Sequence, residues 1–151
     1  MYEETEILLV EDDPKDARFA IRELQIQKPN TLIEVARDGE EALDFLFCRG
    51  AYSDRSPAHP PKLILLDLKL PKIDGLQVLR EIKNNAQTRA IPVVALTSSR
   101  EENDRMESYR LGINSYVQKP VNFEEFRRTI QTVGLYWLNI NQQPPERINR
   151  E

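Results

Sequence analysis

The sequence predicts an α/β domain in which a strand and a helix alternate five times. Two observations carry this prediction: short apolar runs recur along the chain, and amphipathic stretches of helical period separate them. A run that is apolar at every position is typical of a strand covered on both faces of a parallel sheet. We therefore expect a five-stranded parallel sheet with right-handed helical crossovers. The runs are Ile7–Val10, Leu32–Ala36, Leu63–Leu66, Val93–Leu96 and Tyr116–Val117.

Each of the first four runs is followed by a predicted helix with one apolar face. The first of these helices begins near Pro14, a residue well suited to a first helical turn. The apolar positions recur every three or four residues, as expected for helices packed on a sheet. They are Ala17, Ile21 and Leu24 in the first helix, Ala42, Phe45 and Leu46 in the second, Leu76, Leu79 and Ile82 in the third, and Met106 and Tyr109 in the fourth.

The last predicted helix, from Asn122 to Ile140, is the longest. At roughly 1.5 Å per residue it measures about 28 Å, more than a short strand needs for cover, so its C-terminal turns should project past the sheet. An apolar projection favours a partner protein, although Tyr136 and Trp137 could instead fold back onto the domain. The predicted apolar stripe consists of Phe123, Phe126, Ile130, Val133, Trp137 and Ile140.

Two segments have neither a helix nor a strand pattern. Arg49–Lys62 is rich in Pro, Ser and Gly and is expected to form an exposed loop. The segment 142–151 contains Pro144 and Pro145 and too few apolar residues to pack, which predicts a flexible tail. We therefore expect one domain over residues 1–141, followed by this tail.

The composition excludes several classes of function. The 151 residues include one Cys and one His, Cys48 and His59, which excludes an internal disulfide, a Cys-rich zinc site and a His cluster. The formal net charge of −4 provides no general attraction to nucleic acid or to acidic membranes. The first residues are polar and acidic, unlike a secretory signal, and no apolar run approaches membrane-spanning length. We expect a soluble, cytoplasmic protein.

Charged and hydroxyl side chains follow four of the predicted strands. The acidic run Glu11–Asp13 follows the first strand, Asp67 follows the third, Thr97 the fourth and Lys119 the fifth. Because sites in open parallel sheets form beyond the carboxyl ends of the strands, these side chains should converge on one edge. Clustered carboxylates repel one another, and a hard divalent cation with oxygen ligands, such as Mg²⁺, removes that repulsion. A hydroxyl and an ammonium nearby would bind phosphoryl oxygens, so the pattern predicts phosphoryl transfer to a carboxylate.

Each of these elements also has an ordinary structural explanation. An acidic run before Pro14 is favoured by the dipole at a helix N-terminus. Asp67 could be a turn residue, and Thr97 could cap a helix. Four such elements in order, each at a strand end, favour the functional interpretation.

These residues lie in four motifs, which are ILLVEDDP at 7–14, LILLDLKLPKIDG at 63–75, VVALTSS at 93–99 and YVQKP at 116–120. With them, Thr5 to Ile140 resembles the receiver domain of two-component response regulators. The resemblance implies a flavodoxin-like (βα)5 three-layer sandwich with strand order 2-1-3-4-5. It also implies a signalling protein rather than an enzyme, which takes a phosphoryl group from the phosphohistidine of a sensor histidine kinase and assists its own Mg²⁺-dependent phosphotransfer and dephosphorylation.

The resemblance assigns a phosphoacceptor and a metal site. Asp67 matches the phosphorylated aspartate, and Asp12 matches the direct Mg²⁺ ligand. Glu11 matches the acid that acts on the metal largely through water. The backbone carbonyl of Lys69 is expected to complete the site. Asp13 lies outside the acidic pair and is expected to cap the first helix.

The resemblance also assigns a switch. Thr97 matches the hydroxyl that moves toward the phosphoryl group, and Lys119 the cation that pairs with that group. Tyr116 matches the aromatic residue that turns inward with Thr97. The Lys119–Pro120 peptide is expected to be cis, as is typical of the family.

A narrower resemblance rests on the long Arg49–Lys62 loop and on the apolar C-terminal extension. Both features are similar to those of single-domain regulators that are paired with cyanobacterial phytochrome kinases. The similarity implies a phytochrome kinase as partner, a further downstream protein, and a homodimer formed through the last strand and helices. The candidate dimer residues are Tyr116, Leu135, Tyr136, Trp137 and Leu138.

One alternative from a different class stays open. A receiver fold can serve as a protein-interaction module that is never phosphorylated. Other proteins with a related fold or chemistry fit less well, because Glu11–Asp13 would repel an FMN phosphate and Lys69 stands where a haloacid-dehalogenase-type phosphatase has its second acid. His59 lies in a Pro-rich loop, unlike the histidine of a phosphocarrier.

Overall fold

The computed structural model describes residues 5–145, in which five parallel strands and five helices alternate. The order of the strands in the sheet is β2-β1-β3-β4-β5, which confirms the predicted topology. The strands are β1 (Ile7–Val10), β2 (Ile33–Ala36), β3 (Leu63–Leu66), β4 (Val93–Thr97) and β5 (Ser115–Gln118). The helices are α1 (Pro14–Gln27), α2 (Gly39–Leu46), α3 (Gly75–Lys83), α4 (Glu102–Arg110) and α5 (Phe123–Leu135).

Helices cover both faces of the sheet, which explains why β1, β3 and β4 are buried at every position. On one face, Leu8 and Leu66 pack in a core with residues of α2 and α3. On the other face, Leu9 and Leu65 pack with residues of α1 and α5. Alternate residues of one strand therefore enter different cores, because side chains of a strand point to opposite faces of the sheet.

The Arg49–Lys62 segment is only partly the exposed loop that its composition predicts. Gly50–Tyr52 forms a short 3₁₀ helix, and Tyr52 and Arg55 are buried. The Arg55 guanidinium lies over the Phe45 ring, 3.9 Å from its centroid, and donates to the Phe45 carbonyl oxygen. It also donates to the His59 carbonyl oxygen at 3.0 Å. A guanidinium can stack on an aromatic ring and cap the end of a helix at the same time, so a loop of polar composition is held against the domain.

The C-terminal helix is extended, but it is not one regular helix with a continuous apolar stripe. α5 ends at Leu135, and a π-helical turn follows over Tyr136–Ile140. A π turn changes the angular spacing of side chains, so the period of three and four residues does not continue through it. Of the predicted stripe, Phe123 and Ile140 are exposed, whereas Trp137 packs partly buried against the core between the sheet and α1 and α5.

Only the beginning of the predicted tail 142–151 can be described. Gln143 donates its side-chain amide to the Trp137 carbonyl oxygen at 3.1 Å, which holds this first part beside the π turn. Residues 146–151 lie outside the described residues. Among residues 5–145, no helix is both long and apolar enough to span a bilayer.

Candidate functional site

Three residues of the candidate site extend the hydrogen-bond ladder of the sheet by one position at its carboxyl edge. Each backbone N–H donates to a carbonyl of the neighbouring strand, so the side chains begin at the same level. This is the physical reason that residues distant in sequence meet at one edge. The bonds join Glu11 N to Ala36 O at 2.9 Å, Asp67 N to Val10 O at 3.0 Å, and Lys119 N to Thr97 O at 2.8 Å.

Three carboxylates form a cluster at this edge. Oxygen atoms of Glu11, Asp12 and Asp67 all lie within 4.8 Å of one another. Glu11 and Asp67 are buried, whereas Asp12 is exposed. The donors are all oxygens, one member is open to solvent, and the negative charges repel one another, so the cluster fits a hard divalent cation. The structure thus brings together three of the four predicted metal ligands.

Lys69, the fourth predicted ligand, lies in the loop that follows Asp67. Its backbone N–H donates to Asp67 Oδ1 at 3.1 Å, which places the two residues side by side. The role of its carbonyl as a metal ligand stays a prediction. The loop ends at Gly75, where an added Cβ would lie 2.5 Å from Leu68 Cα, so glycine allows α3 to begin directly against the backbone of Asp67 and Leu68.

The Lys119 ammonium lies among carboxylates. Its Nζ pairs closely with Glu11, lies 3.1 Å from Asp16 Oδ2 and lies 3.4 Å from Asp67 Oδ2. Burial alone would lower the pKa of Lys119, but the surrounding carboxylates raise it above its ordinary value. Burial raises the pKa of Glu11 to about 7, and the ion pair with Lys119 offsets part of that effect.

The predicted cis peptide before Pro120 is wrong. No cis peptide bond occurs among residues 5–145, so the Lys119–Pro120 bond is trans. The trans form is the more stable isomer of a peptide bond before proline, by about 0.5–1 kcal/mol. The Lys119 side chain reaches the cluster without the cis bond.

Asp16 belongs to the site, although sequence reasoning did not select it. Asp13 caps α1 as predicted, since its side chain accepts from the N–H groups of Lys15 and Asp16. Asp16 therefore lies in the first turn of a helix that begins at the carboxyl edge of the sheet. Two features of the sequence could have indicated Asp16, namely its short distance along the chain from Glu11 and its place just after Pro14. A side chain in the first turn of a helix that begins there can face the edge of the sheet at which β1 ends.

The two predicted switch residues, Thr97 at the end of β4 and Tyr116 on β5, both contact Ser99 in the loop after β4. Thr97 is fully buried, and its hydroxyl oxygen accepts from the Ser99 N–H at 3.2 Å. Tyr116 is half-buried, and its hydroxyl donates to the Ser99 carbonyl oxygen at 3.4 Å. Ser99 therefore contacts both predicted switch residues, and it was not selected from the sequence.

Ser99 is also tied to the loop after β3 through a buried carboxylate. Its hydroxyl donates to Asp104 Oδ2 at 2.6 Å, and the Lys69 ammonium lies 3.1 Å from the same oxygen. Although burial opposes ionisation of Asp104, hydrogen bonds from Ser99 and Lys69 lower its pKa. Asp104 thus connects α4 with the loop that carries Asp67.

Comparisons with known proteins identify the family. Residues 7–131 match the family of the response regulator receiver domain. The chain belongs to this receiver family.

The receiver has relatives of similar length. It is 41% identical over 138 residues to the probable methanogenesis regulatory protein FilR2 of Methanothrix harundinacea, a match that covers 91% of this chain and 86% of that protein. It is 42% identical over 132 residues to the response regulator Rcp1 of Synechocystis, over 87% of this chain and 88% of Rcp1.

Solved structures of two cyanobacterial regulators share the fold of the receiver. The phosphorylated cyanobacterial phytochrome response regulator RcpA is 37% identical, with a TM-score of 0.87 over 93% of this chain and 99% of that one. The Mn²⁺-bound form of Rcp1 is 39% identical, also with a TM-score of 0.87, over 93% of this chain and 99% of that one.

Divalent-cation binding by the receiver should weaken as the pH falls through 7. Burial raises the pKa of Glu11 to about 7, and its carboxyl must lose a proton to stabilise a cation. The ionised fraction falls from about nine tenths at pH 8 to about one tenth at pH 6, so Mn²⁺ binding measured by calorimetry should become roughly tenfold weaker.

Glu11→Gln is the control for this prediction. Without the titrating carboxyl, Mn²⁺ affinity should be lower at pH 8 and should change little between pH 8 and pH 6. Equal Mn²⁺ affinity of the unsubstituted chain at the two pH values would contradict the prediction.

Proposed function

We propose that the receiver accepts a phosphoryl group on Asp67 from the phosphohistidine of a sensor histidine kinase. The observation that carries this proposal is the buried Asp67 carboxylate, which lies within one cluster with Glu11 and Asp12 and 3.4 Å from the Lys119 ammonium. A carboxylate nucleophile beside a cation site and an ammonium has what phosphoryl transfer requires, namely positioning and charge neutralisation.

The transfer follows from these positions. A carboxylate oxygen of Asp67 forms a bond to phosphorus, the P–N bond to the imidazole breaks, and the imidazole nitrogen keeps the electron pair and takes up a proton. Lys119 binds a phosphoryl oxygen and neutralises part of its charge. Glu11, Asp12, Asp67 and the Lys69 carbonyl would hold Mg²⁺, which supplies further positive charge to the phosphoryl oxygens when bound.

The proposed partners follow from the relatives. Rcp1 is a response regulator, and RcpA is a cyanobacterial phytochrome response regulator. We therefore propose that a phytochrome kinase donates the phosphoryl group and that the transfer takes place in the cytoplasm. We also propose that residues 1–141 form one receiver domain, to which a downstream protein binds. The chain assists its own phosphorylation and dephosphorylation but converts no other substrate.

The alternative function is a constitutive interaction module that is not phosphorylated. A module of that kind has no need for a nucleophile within a carboxylate cluster beside a partly buried ammonium, because burying charges costs free energy of folding. The geometry of Asp67 and Lys119 therefore favours the phosphoacceptor.

Incubation with Mg²⁺ and acetyl phosphate should add one phosphoryl group to the chain. Asp67→Asn should abolish the addition, because an amide is not a competent nucleophile. Intact-protein mass spectrometry measures both results. Asp74→Asn is the matched control, since Asp74 is an exposed acid in the same loop. A phosphoryl gain that survives Asp67→Asn, or its absence from the unsubstituted chain, would falsify the phosphoacceptor proposal.

The contacts around Ser99 support a proposed switch. A phosphoryl group on Asp67 would attract the Thr97 hydroxyl, which now accepts from the Ser99 N–H. Movement of Thr97 would shift the loop on which Tyr116 rests, and with it the start of α4, which Asp104 joins to Ser99. Phosphorylation would thus change the populations of two arrangements of the surface formed by α4, β5 and α5.

Thr97→Ala should leave Asp67 phosphorylatable but should weaken the response of α4. In the unsubstituted chain we expect phosphorylation to change hydrogen exchange of the α4 amides, and in Thr97→Ala at least half of this change should be lost. Ser98→Ala is the control, because Ser98 is exposed. An equal response in Thr97→Ala and the unsubstituted chain would rule out this switch.

The exposed part of the C-terminal extension supports a proposed homodimer. Leu135 and Tyr136 are 44% and 45% exposed, whereas Trp137 and Leu138 pack partly buried against the core. Tyr116 is half-buried on β5. Among the candidate dimer residues, Leu135 and Tyr136 therefore offer the apolar surface that a second copy would cover.

Leu135→Ser should lower the molar mass in solution from that of a dimer toward that of a monomer, because it removes apolar area from the proposed interface. Light scattering coupled to size-exclusion chromatography measures this mass. Ile26→Ser is the control, since Ile26 is 59% exposed on α1, which is not part of the proposed interface through the last strand and helices. A monomeric unsubstituted chain would exclude the dimer.

A further inference from the structure

We infer that Asp16 is a positioning residue that competes with the phosphoryl group for Lys119 and thereby shortens the life of the aspartyl phosphate. The inference rests on the proposed phosphorylation of Asp67. It concerns a side chain that has no part in the roles described above, and it gives this receiver a built-in means of limiting its own signal.

The geometry gives Asp16 a direct hold on Lys119. Asp16 Oδ2 lies 3.1 Å from the Lys119 ammonium, closer than Asp67 Oδ2 at 3.4 Å. The Asp16 side chain is 31% exposed, and the Lys119 side chain is 9% exposed. The first turn of α1, which Asp13 caps, fixes the backbone from which Asp16 reaches the ammonium.

Asp16 differs from the other two carboxylates around Lys119 because it pairs with Lys119 without also belonging to the candidate cation site. Glu11 and Asp67 belong to the acidic cluster that fits a divalent cation, together with Asp12. Asp16 is not a member of that cluster. When a cation binds oxygens of Glu11 and Asp67, these two carboxylates interact with both the cation and Lys119, whereas Asp16 still interacts with Lys119 alone.

Phosphorylation adds an anion that competes for the Lys119 ammonium with Asp16, and also with Glu11, which pairs closely with Lys119. The phosphoryl oxygens must share the Lys119 ammonium with Asp16, so their ion pair with Lys119 is weaker than it would be without the Asp16 carboxylate. The Asp16 carboxylate is also a like charge beside the incoming phosphoryl group. Both effects destabilise the phosphorylated form, so removal of the Asp16 charge should prolong it.

A second explanation for Asp16 must be separated from this one. An acid in the first turn of a helix stabilises that helix through its dipole, whatever Lys119 does. A dipole effect would lower the melting temperature of Asp16→Asn but would not depend on Lys119. The competition, in contrast, requires the ammonium, so its effect must disappear when Lys119 is neutral.

The test compares Asp16→Asn, Lys119→Gln and the double variant with the unsubstituted chain. Each protein is phosphorylated with acetyl phosphate and Mg²⁺, the donor is removed, and the loss of the phosphoryl mass is followed. Asp13→Asn is the matched control, because it changes an acid in the same turn that can still cap α1. The binding of beryllofluoride, a phosphoryl mimic, is measured in parallel by fluorine NMR.

We expect Asp16→Asn to lengthen the phosphoryl lifetime about two- to fivefold and to tighten beryllofluoride binding to a similar degree, as for a partly exposed ion pair. Asp13→Asn should leave both unchanged. In the Lys119→Gln background Asp16→Asn should have a clearly smaller effect, because only the direct repulsion between the Asp16 carboxylate and the phosphoryl group is then relieved. Equal lifetimes in Asp16→Asn and the unsubstituted chain, or the same effect without the ammonium, would overturn the inference. If the unsubstituted chain takes up no phosphoryl group, the proposed function is overturned instead. The role of Asp16 is then tested by beryllofluoride alone, and equal binding by Asp16→Asn and the unsubstituted chain would overturn it.

Discussion

Parallel strands end at a common edge of their sheet, and in this chain the residues that follow β1 and β3 at that edge are acids. Glu11, Asp12 and Asp67 consequently have oxygens within 4.8 Å of one another, and Glu11 and Asp67 are buried. Bringing like charges together costs free energy, more so at low dielectric. The Lys119 ammonium offsets part of that cost, and a bound cation would offset more. The folded state therefore holds a site whose free energy falls when it binds positive charge, which is the property that the proposed phosphoryl transfer requires.

Charges on both sides of Asp67 connect this site to the rest of the molecule. On one side, Lys119 joins Asp67 to Asp16 on α1. On the other, Lys69 joins the loop after Asp67 to Asp104 on α4. A change of charge at Asp67 is thus positioned to disturb two sets of ion pairs at once. In the proposed switch, a shift of a few kcal/mol would be enough to change which arrangement of α4 and β5 predominates.

Local patterns were sufficient for most of the fold and insufficient for several contacts. The wholly apolar run Leu63–Leu66 identified a buried parallel strand, because its composition depends on cover from both faces. The composition of Arg49–Lys62 indicated an exposed loop, yet Arg55 is buried on the ring of Phe45. Asp16 was missed for the same physical reason. Whether a charged side chain is buried or paired depends on residues that come from elsewhere in the chain.

The resemblance to the receiver family implied the strand order. The sequence by itself determined the parallel α/β class, the edge at which the site lies and the identity of Asp67, Thr97 and Lys119 as its candidate residues. These follow from the hydrophobic period and from residue types at strand ends, both of which are local. Only the tertiary structure decided that Lys119 is shared between Asp16 and the acidic cluster, and that Asp104 connects Lys69 with Ser99. Side-chain distances of about 3 Å depend on how helices lie on the sheet, and that packing is a property of the whole chain.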